Sequence, residues 1–337
     1  MPSKTGLVNT FDGFFHVSGG FFADSDGGRG IGAATIERPP VPLDPFPEGF
    51  PSFSDANPMT TAPDALSTVT MAFIGGGNMA SAIVGGLMRQ GMRADQFIIV
   101  EPFAETAAKL QSDFGITALA QAGAALQQAQ VVVWAVKPQL FSEAAAPVAP
   151  FTRGALHLSV AAGIRTDSIS RWVGTDRLVR CMPNTPALVG QGITGLFPCP
   201  QVSDADKALV EQVIATTGQS VWVTQESQLD AVTALSGSGP AYVFYFLEAM
   251  TEAGLGMGLT QSQAYQLAVA TFSGAASLAA ASTEAPEVLR QRVTSKGGTT
   301  YAALTAMEAA GIKPAFIQAM QAAQHRAHEL GDEFGKG

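Results

Sequence analysis

Apolar positions along this chain change rhythm twice. From Val69 onward, short and nearly continuous apolar runs recur, as in "TVTMAFIGGG", "QFIIVEP", "AQVVVWAVKPQ" and "GALHLSVAAGI". Continuous rather than alternating hydrophobicity is the mark of parallel strands covered by helices on both faces. Segments of helical texture separate the runs, for example "PFAETAAKLQSDFG". Together they predict the βαβ alternation of a doubly wound sheet. After about Glu226 the strand-like runs stop. "GPAYVFYFLEAMTEAG" opens with Pro240 in a first helical turn, and Thr260 with Gln263 forms a capping-box pattern ahead of "AYQLAVATFSGAASLAAA". "APEVLRQRV", "TTYAALTAMEAAG" and "KPAFIQAMQAAQHRAHEL" complete an all-helical half.

The expected organisation has three parts. Residues 69–228 form an α/β, Rossmann-type dinucleotide-binding domain, and residues 229–337 an all-α domain for substrate binding and dimerisation. Residues 1–68 hold nine glycines and nine prolines. Such a stretch cannot bury enough surface to offset its chain entropy, so it is expected to be a disordered extension, or an artefact of an upstream start codon with Met59 or Met71 as the true start. The stretch from Leu255 to Thr283 carries no charged residue and is long enough to span a bilayer. Gln261, Gln263, Gln266 and several Ser and Thr interrupt it, so it reads as a helix buried against another subunit.

Composition sharpens this picture. Of 337 residues, 47% are apolar and only 14% charged, which points to extra surface buried between subunits. The net charge of -9, with no basic run, argues against a nucleic-acid partner. Cys181 and Cys199 are too few for a disulfide scaffold and read as small core residues in a reducing compartment. With no secretory or membrane segment expected, the location expected is cytoplasmic.

The chemistry starts at Gly75-Gly76-Gly77-Asn78-Met79-Ala80, a G-x-G-x-x-A pattern between a strand and a helix. The first glycine allows the tight turn, Gly77 lets a pyrophosphate approach the backbone, and Ala80 lets helix and strand pack closely. The helix start then offers N–H groups and a positive dipole end to the phosphates. Glu101 ends the second strand, 26 positions after Gly75. An acid there binds the ribose 2′-hydroxyl and disfavours a 2′-phosphate; the bland alternative is a solvated side chain. Lys137-Pro138 and Ala161-Ala162-Gly163 close two further strands, and Asn184 and Thr185 lie between Pro183 and Pro186 in a wall placed near the nicotinamide. His16, His157, His325 and His328 form no cluster with acids, so no metal is expected. Neither a G-x-S-x-G nor a Cys–His pattern supports covalent catalysis. Hydride transfer, which needs mainly positioning, suits such a site. "VTSKGGTT", Val293–Thr300, remains open on residues alone: a phosphate cradle, a carboxylate clamp or a plain turn.

"FIGGGNMASAIVGGL", "AVKPQ", "SVAAGI", "MPNTPALVGQGITG", "LDAVTALSGSGPAYVFYFLEAM" and "VTSKGGTTYAAL", in this order, resemble the pyrroline-5-carboxylate reductase family. The resemblance implies reduction of L-1-pyrroline-5-carboxylate to L-proline with NADPH or NADH, the last step of proline biosynthesis. It implies a homodimer or higher oligomer with interlocked C-terminal helices, and an active site between one chain's Rossmann domain and the dimer interface. Carried over residue by residue, it places Ile74, Gly75, Gly76, Gly77, Asn78 and Met79, with Ala135, Val136, Lys137, Pro138, Ala161, Ala162 and Gly163, at the cofactor. Ser295, Gly298, Thr299 and Thr300 hold the substrate carboxylate, and Glu226 lies on the substrate side as a stabiliser of the protonated imine. The chain departs from the family in having Lys296 where proline is usual, Arg292 in place of an amide residue, and Ala122 near a common asparagine. The rival readings are a reductase of a six-membered cyclic imine, a 3-hydroxyacid dehydrogenase and a non-catalytic dinucleotide-binding protein.

Overall fold

The computed structural model describes residues 65–335, so the expectation for residues 1–64 lies outside the described range. The described residues begin before the expected boundary at 69. Ala65–Thr68 form a 3-10 turn whose Leu66 is buried. The Gln96 side-chain amide ties this turn down by donating to the carbonyls of Leu66, Ser67 and Val69 at 3.1, 3.2 and 3.0 Å.

Strands and helices then alternate: β1 (Met71–Ile74), α1 (Asn78–Arg89), β2 (Phe97–Val100), α2 (Ala104–Phe114), β3 (Val131–Trp134), α3 (Phe141–Thr152), β4 (Leu156–Ser159), α4 (Thr166–Val173) and β5 (Leu178–Met182). After them come β6 (Gly192–Pro198), α5 (Asp204–Ala215) and β7 (Gly218–Trp222). The sheet order is β2-β1-β3-β4-β5-β6-β7. The first five strands are parallel, β6 runs antiparallel to β5, and β7 runs parallel to β6. Every residue of β1, β3 and β4 is buried, because each strand face has its own helical cover. Met71 and Phe73 pack with Ile83, Leu87, Leu110 and Val213 on one side; Ala72 and Ile74 pack with Phe141, Val148 and Ile169 on the other.

The chain passes from β1 to β2 on one flank and to β3 on the other. The switch point where ligands bind in such sheets therefore lies between the C-terminal ends of β1 and β3. β5, β6 and β7 were not legible as strands in the sequence. β5 carries Arg180, β6 begins and is interrupted by glycine, and β7 is an edge strand with three exposed residues.

The remaining elements are all helical: α6 (Gln228–Val232), a π-helical turn (Thr233–Gly237), α7 (Gly239–Gly256), α8 (Gln261–Ala280), α9 (Pro286–Arg292), α10 (Thr299–Ala309) and α11 (Ile312–Phe334). The uncharged stretch breaks at Gly258, whose φ is +92°, and α8 starts from the expected Thr260–Gln263 capping box. Among the described residues no helix is long and apolar enough to cross a membrane. α7 and α8 cross closely at Gly254, where an added Cβ would sit 2.6 Å from the Ala264 methyl. Beyond that crossing they leave Phe244, Tyr245, Leu267 and Leu278 largely exposed, a surface of the kind that partners cover. α11 folds back onto the α/β half: Arg165 pairs with Asp332 at 2.7 Å, and Arg171 donates to the Gly335 carbonyl at 3.2 Å.

Candidate cofactor and substrate site

The ends of β2, β1, β3, β4 and β5 lie side by side along one edge of the sheet, and each carries a residue singled out in the sequence. At β1, Ile74 is buried and Gly75 turns the chain with φ +92°. A side chain at Gly75 would also meet the Ala135 carbonyl oxygen at 2.7 Å, so only glycine fits there. Gly76 is equally confined, with Leu110 2.5 Å from an added Cβ. Gly77 differs: nothing lies within 4 Å of its added Cβ, and both it and Asn78 are exposed. Ala80 is fully buried against the sheet. The turn therefore presents bare backbone and the start of α1 to open space, which fits a pyrophosphate.

Glu101, at the end of β2, is not the solvated side chain of the bland reading. It is 6% exposed. Its Oε2 accepts from Gly76 N–H and its Oε1 from Phe103 N–H, both at 2.8 Å. The carboxylate is thus fixed beside the glycine turn. Next to β1, Ala135 and Val136 are half-buried and Lys137 is exposed ahead of a 3-10 turn begun by Pro138. Met79 is half-buried at the start of α1. After β5, Asn184 accepts from Ile193 N–H at 3.0 Å, which shapes the turn that packs against α1.

The β4 end is divided. Ala162 is exposed, whereas Ala161 is buried. Gly163 has φ +74° and sits under α11, with Phe334 and Leu330 at 3.0 and 3.1 Å from its added Cβ. The room on the side-chain face of this glycine is filled by the chain's own C-terminal helix.

Glu226 is held by three hydrogen bonds within the fold. Its Oε1 accepts from Thr166 N–H at 2.7 Å and from the Arg180 guanidinium at 2.8 Å, and its Oε2 accepts from the Thr166 hydroxyl at 2.7 Å. Arg180 is buried in β5. Both oxygens are engaged and the charge is compensated, so this acid anchors the chain entering α6 to α4 and the sheet. Thr166 and Arg180 were missed because nothing in the sequence pairs them with an acid 46 or more positions away.

The π-helical turn at Thr233–Gly237 was missed as well. It lies within "TALSGSGPAY", where Ser238 N–H reaches the Thr233 carbonyl at 2.8 Å and the Tyr242 hydroxyl donates to Ala234 O at 3.1 Å. An added Cβ at Gly237 would be 2.6 Å from Met182, so this turn abuts the end of β5 beside Asn184. Single π-turns inside helices gather at functional sites.

The Ser295–Thr300 loop leads from α9 into α10. Among the described residues, no hydrogen bond or ion pair joins it to the glycine turn. Gly297 has φ +76°, and Gly298 precedes α10 with the Ser295 hydroxyl 2.6 Å from its added Cβ. No side chain caps α10 and its first turn holds no acid, so Thr299 and Thr300 offer N–H groups suited to an anion. Lys296 is exposed, and the Arg292 guanidinium is held by Glu284 at 2.6 Å. Among the described residues, no group of three or more His, Cys, Asp or Glu side chains is arranged to hold a metal ion.

A glycine turn open at the switch point of a doubly wound sheet, followed by a helical half with exposed apolar faces, defines a Rossmann-type dinucleotide-binding protein. Comparison with known proteins makes this specific. Residues 226–330 match the family profile for pyrroline-5-carboxylate reductase dimerisation, and residues 70–163 match that for coenzyme F420-dependent NADP oxidoreductases. A pyrroline-5-carboxylate reductase of Pseudomonas aeruginosa is 43% identical over 273 residues, spanning 80% of this chain and all of its own. A solved pyrroline-5-carboxylate reductase from Coxiella burnetii superposes with a TM-score of 0.73 at 37% identity, over 78% of this chain and 98% of the other. One from Plasmodium falciparum, solved with NADP bound, gives 0.71 at 25% identity over 79% and 99%. The chain belongs to the pyrroline-5-carboxylate reductase family. The dimerisation match covers the exposed faces of α7 and α8 and supports assembly as a homo-oligomer.

Proposed function

We propose that this chain reduces the C=N bond of L-1-pyrroline-5-carboxylate to give L-proline, using NAD(P)H held at the β1–β3 switch point. The observation that carries the reading is the pairing of two anion-binding helix starts within one family chain. One, at Gly77–Asn78, is bare and open; the other, at Thr299–Thr300, is uncapped and flanked by the Ser295 hydroxyl. Bound NAD(P)H would supply the hydride to the carbon of the imine protonated from solvent, the C=N π pair passing to the nitrogen, which keeps that proton as the N–H of proline. The chain's own residues position the partners. The glycine turn, Asn78 and Glu101 hold the nucleotide, while Ala135–Pro138, Ala162 and Asn184 line the same sheet edge. Ser295, Gly298, Thr299 and Thr300 clamp the substrate carboxylate, which fixes the face of the ring presented to the hydride. Glu226 acts through Thr166 and Arg180, by holding the entry to α6 and so the π-turn against Met182.

The division at 228/229 into a nucleotide domain and a helical domain follows the end of the strands. A second copy, seated on the apolar faces of α7 and α8, would bring its α10 loop to this chain's nucleotide edge; the exposed apolar faces of α7 and α8, within the stretch matched by the dimerisation profile, support this.

The test is the oxidation of NADH and NADPH, followed by absorbance, with pyrroline-5-carboxylate, its six-membered homologue and a hydroxyacid. Turnover should be fastest with the pyrroline; faster turnover of either rival would overturn the reading. Thr300→Ala should raise KM for the pyrroline by about tenfold, the worth of one hydrogen bond to a charged group, and leave nucleotide affinity unchanged. An unchanged KM would remove the loop from the substrate site.

A further inference from the structure

We infer that Lys296, which stands where the family usually has proline, binds the anionic substrate: its ammonium group draws the ring carboxylate to the start of α10 and holds it there. The inference rests on the reduction proposed above and adds a charged member to its carboxylate clamp. Lys296 lies two residues ahead of Gly298, the residue from which α10 starts. Its side chain is exposed, and among the described residues no carboxylate pairs with it. The other two cations between Glu284 and Gly311 are engaged: Arg290 reaches Glu308 at 3.5 Å and Arg292 reaches Glu284 at 2.6 Å. Lys296 is therefore the cation of this segment left for a ligand.

Its place runs against the local electrostatics. The start of a helix is the positive end of the helix dipole, which favours acids and disfavours cations. α10 has no acid in its first turn and no side chain capping it, so nothing within the helix start offsets that end. A lysine beside it adds repulsion in the free protein, and an anion seated between the two relieves it. Choices of residue that break a local rule in this way gather at functional sites. The four-carbon stem of lysine is long enough to reach an anion held on the Thr299 and Thr300 N–H groups, to which the ammonium brings three further donors. Gly297, with φ +76°, turns the backbone directly after it.

Steady-state kinetics of the full-length protein with pyrroline-5-carboxylate test this at about 0.02 M and about 0.2 M salt, between which the Debye length falls from roughly 20 to roughly 7 Å. Lys296→Gln should raise KM about fivefold at the lower salt, keep kcat within about twofold, and flatten the rise of KM with salt shown by the wild-type protein. Lys296→Arg should retain the wild-type salt dependence, and nucleotide Kd should be the same in all three proteins. Cyclopentanecarboxylate, which has the ring and the anion but no C=N bond, should inhibit Lys296→Gln about fivefold more weakly, whereas the neutral cyclopentanecarboxamide should inhibit both proteins alike. Equal KM and equal salt dependence in the wild-type and Lys296→Gln proteins would overturn the inference and leave the proposed reduction standing. So would an equal weakening of the acid and the amide, which is the mark of a distorted loop. Weaker nucleotide binding with an unchanged KM would also overturn it, by giving Lys296 to the nucleotide. A wild-type protein that turns over no pyrroline-5-carboxylate would refute the reduction itself, and the inference with it.

Discussion

Replacing His157 by glutamine should remove most of the acid sensitivity that one buried side chain confers on this fold. His157 is fully buried in β4, with its ring stacked on Trp134 at a centroid distance of 6.0 Å. Its Nδ1 accepts from Trp134 Nε1–H at 2.9 Å, so the ring proton is on Nε2, which donates to the Thr152 carbonyl at 2.9 Å. Protonation at Nδ1 would destroy the Trp134 bond and place a charge in the apolar layer under α3. Burial accordingly pushes the pKa from 6.5 to about 4; the Thr152 carbonyl opposes the change and Arg177 adds slightly to it. The unfolded chain binds the proton more tightly, so this group's contribution is fully present above pH 6.5 and is lost as pH falls toward 4. The full loss corresponds to about 3.4 kcal/mol, of which about 2.5 kcal/mol is reached near pH 4.5. Urea unfolding at fixed protein concentration, measured at about pH 7.5 and about pH 4.5, gives the wild-type and His157→Gln differences. Carboxylate titration is common to both proteins and cancels between them. The wild-type protein should lose roughly 2.5 kcal/mol more than the variant, whatever the variant costs at neutral pH. Parallel losses would refute the depressed pKa and the tautomer inferred from the two hydrogen bonds.

Two further predictions separate binding from folding. Gly77→Ala should leave the unfolding free energy within about 0.5 kcal/mol, since nothing is near the added methyl, yet weaken nucleotide binding by about tenfold. Gly75→Ala, which meets both a positive φ and the Ala135 carbonyl, should cost about 2 kcal/mol or more of stability; equal effects of the two variants would disprove the open approach at Gly77. Arg180→Met should destabilise the protein by about 3 kcal/mol by leaving Glu226 without its cation, and adding Glu226→Leu should recover much of that loss. A near-neutral Arg180→Met, measured by urea unfolding, would show that the anchor carries no weight.

The sequence was most informative where one residue type answers one physical need. Continuous apolar runs marked β1 to β4 because both faces of those strands are covered. The glycine turn was legible because a positive φ and a bare approach leave few other choices of residue. The edge of the sheet was not legible, because β7 faces solvent and mixes polar with apolar positions. Gly163 could not be separated from Gly77 by its spelling. Both are small residues at a strand end, and only the path of α11, more than 150 positions later, fills the space above one of them.

Glu101 and Glu226 show the same limit on the charged side. Each follows the end of a strand, and each was expected beside a ligand, Glu101 from its spacing after the glycine turn and Glu226 from the family resemblance. What separates them is the company each keeps. Glu226 meets a buried guanidinium and a threonine hydroxyl, so its charge is spent within the fold and its removal is felt first as lost stability. Glu101 meets only backbone N–H groups, which orient the carboxylate without cancelling its charge. A fixed and uncompensated charge beside an open backbone is what discrimination between nucleotides requires, since the cost of holding it is met by the fold whether or not a ligand is present. The two acids should therefore diverge in one experiment. Charge removal at Glu101 should change the ratio of NADPH to NADH affinity, whereas charge removal at Glu226 should leave that ratio where it stands in the wild-type protein. A shift of the ratio by Glu226→Gln, measured in the same titration, would mean that its pairing with Arg180 does not isolate it from the nucleotide.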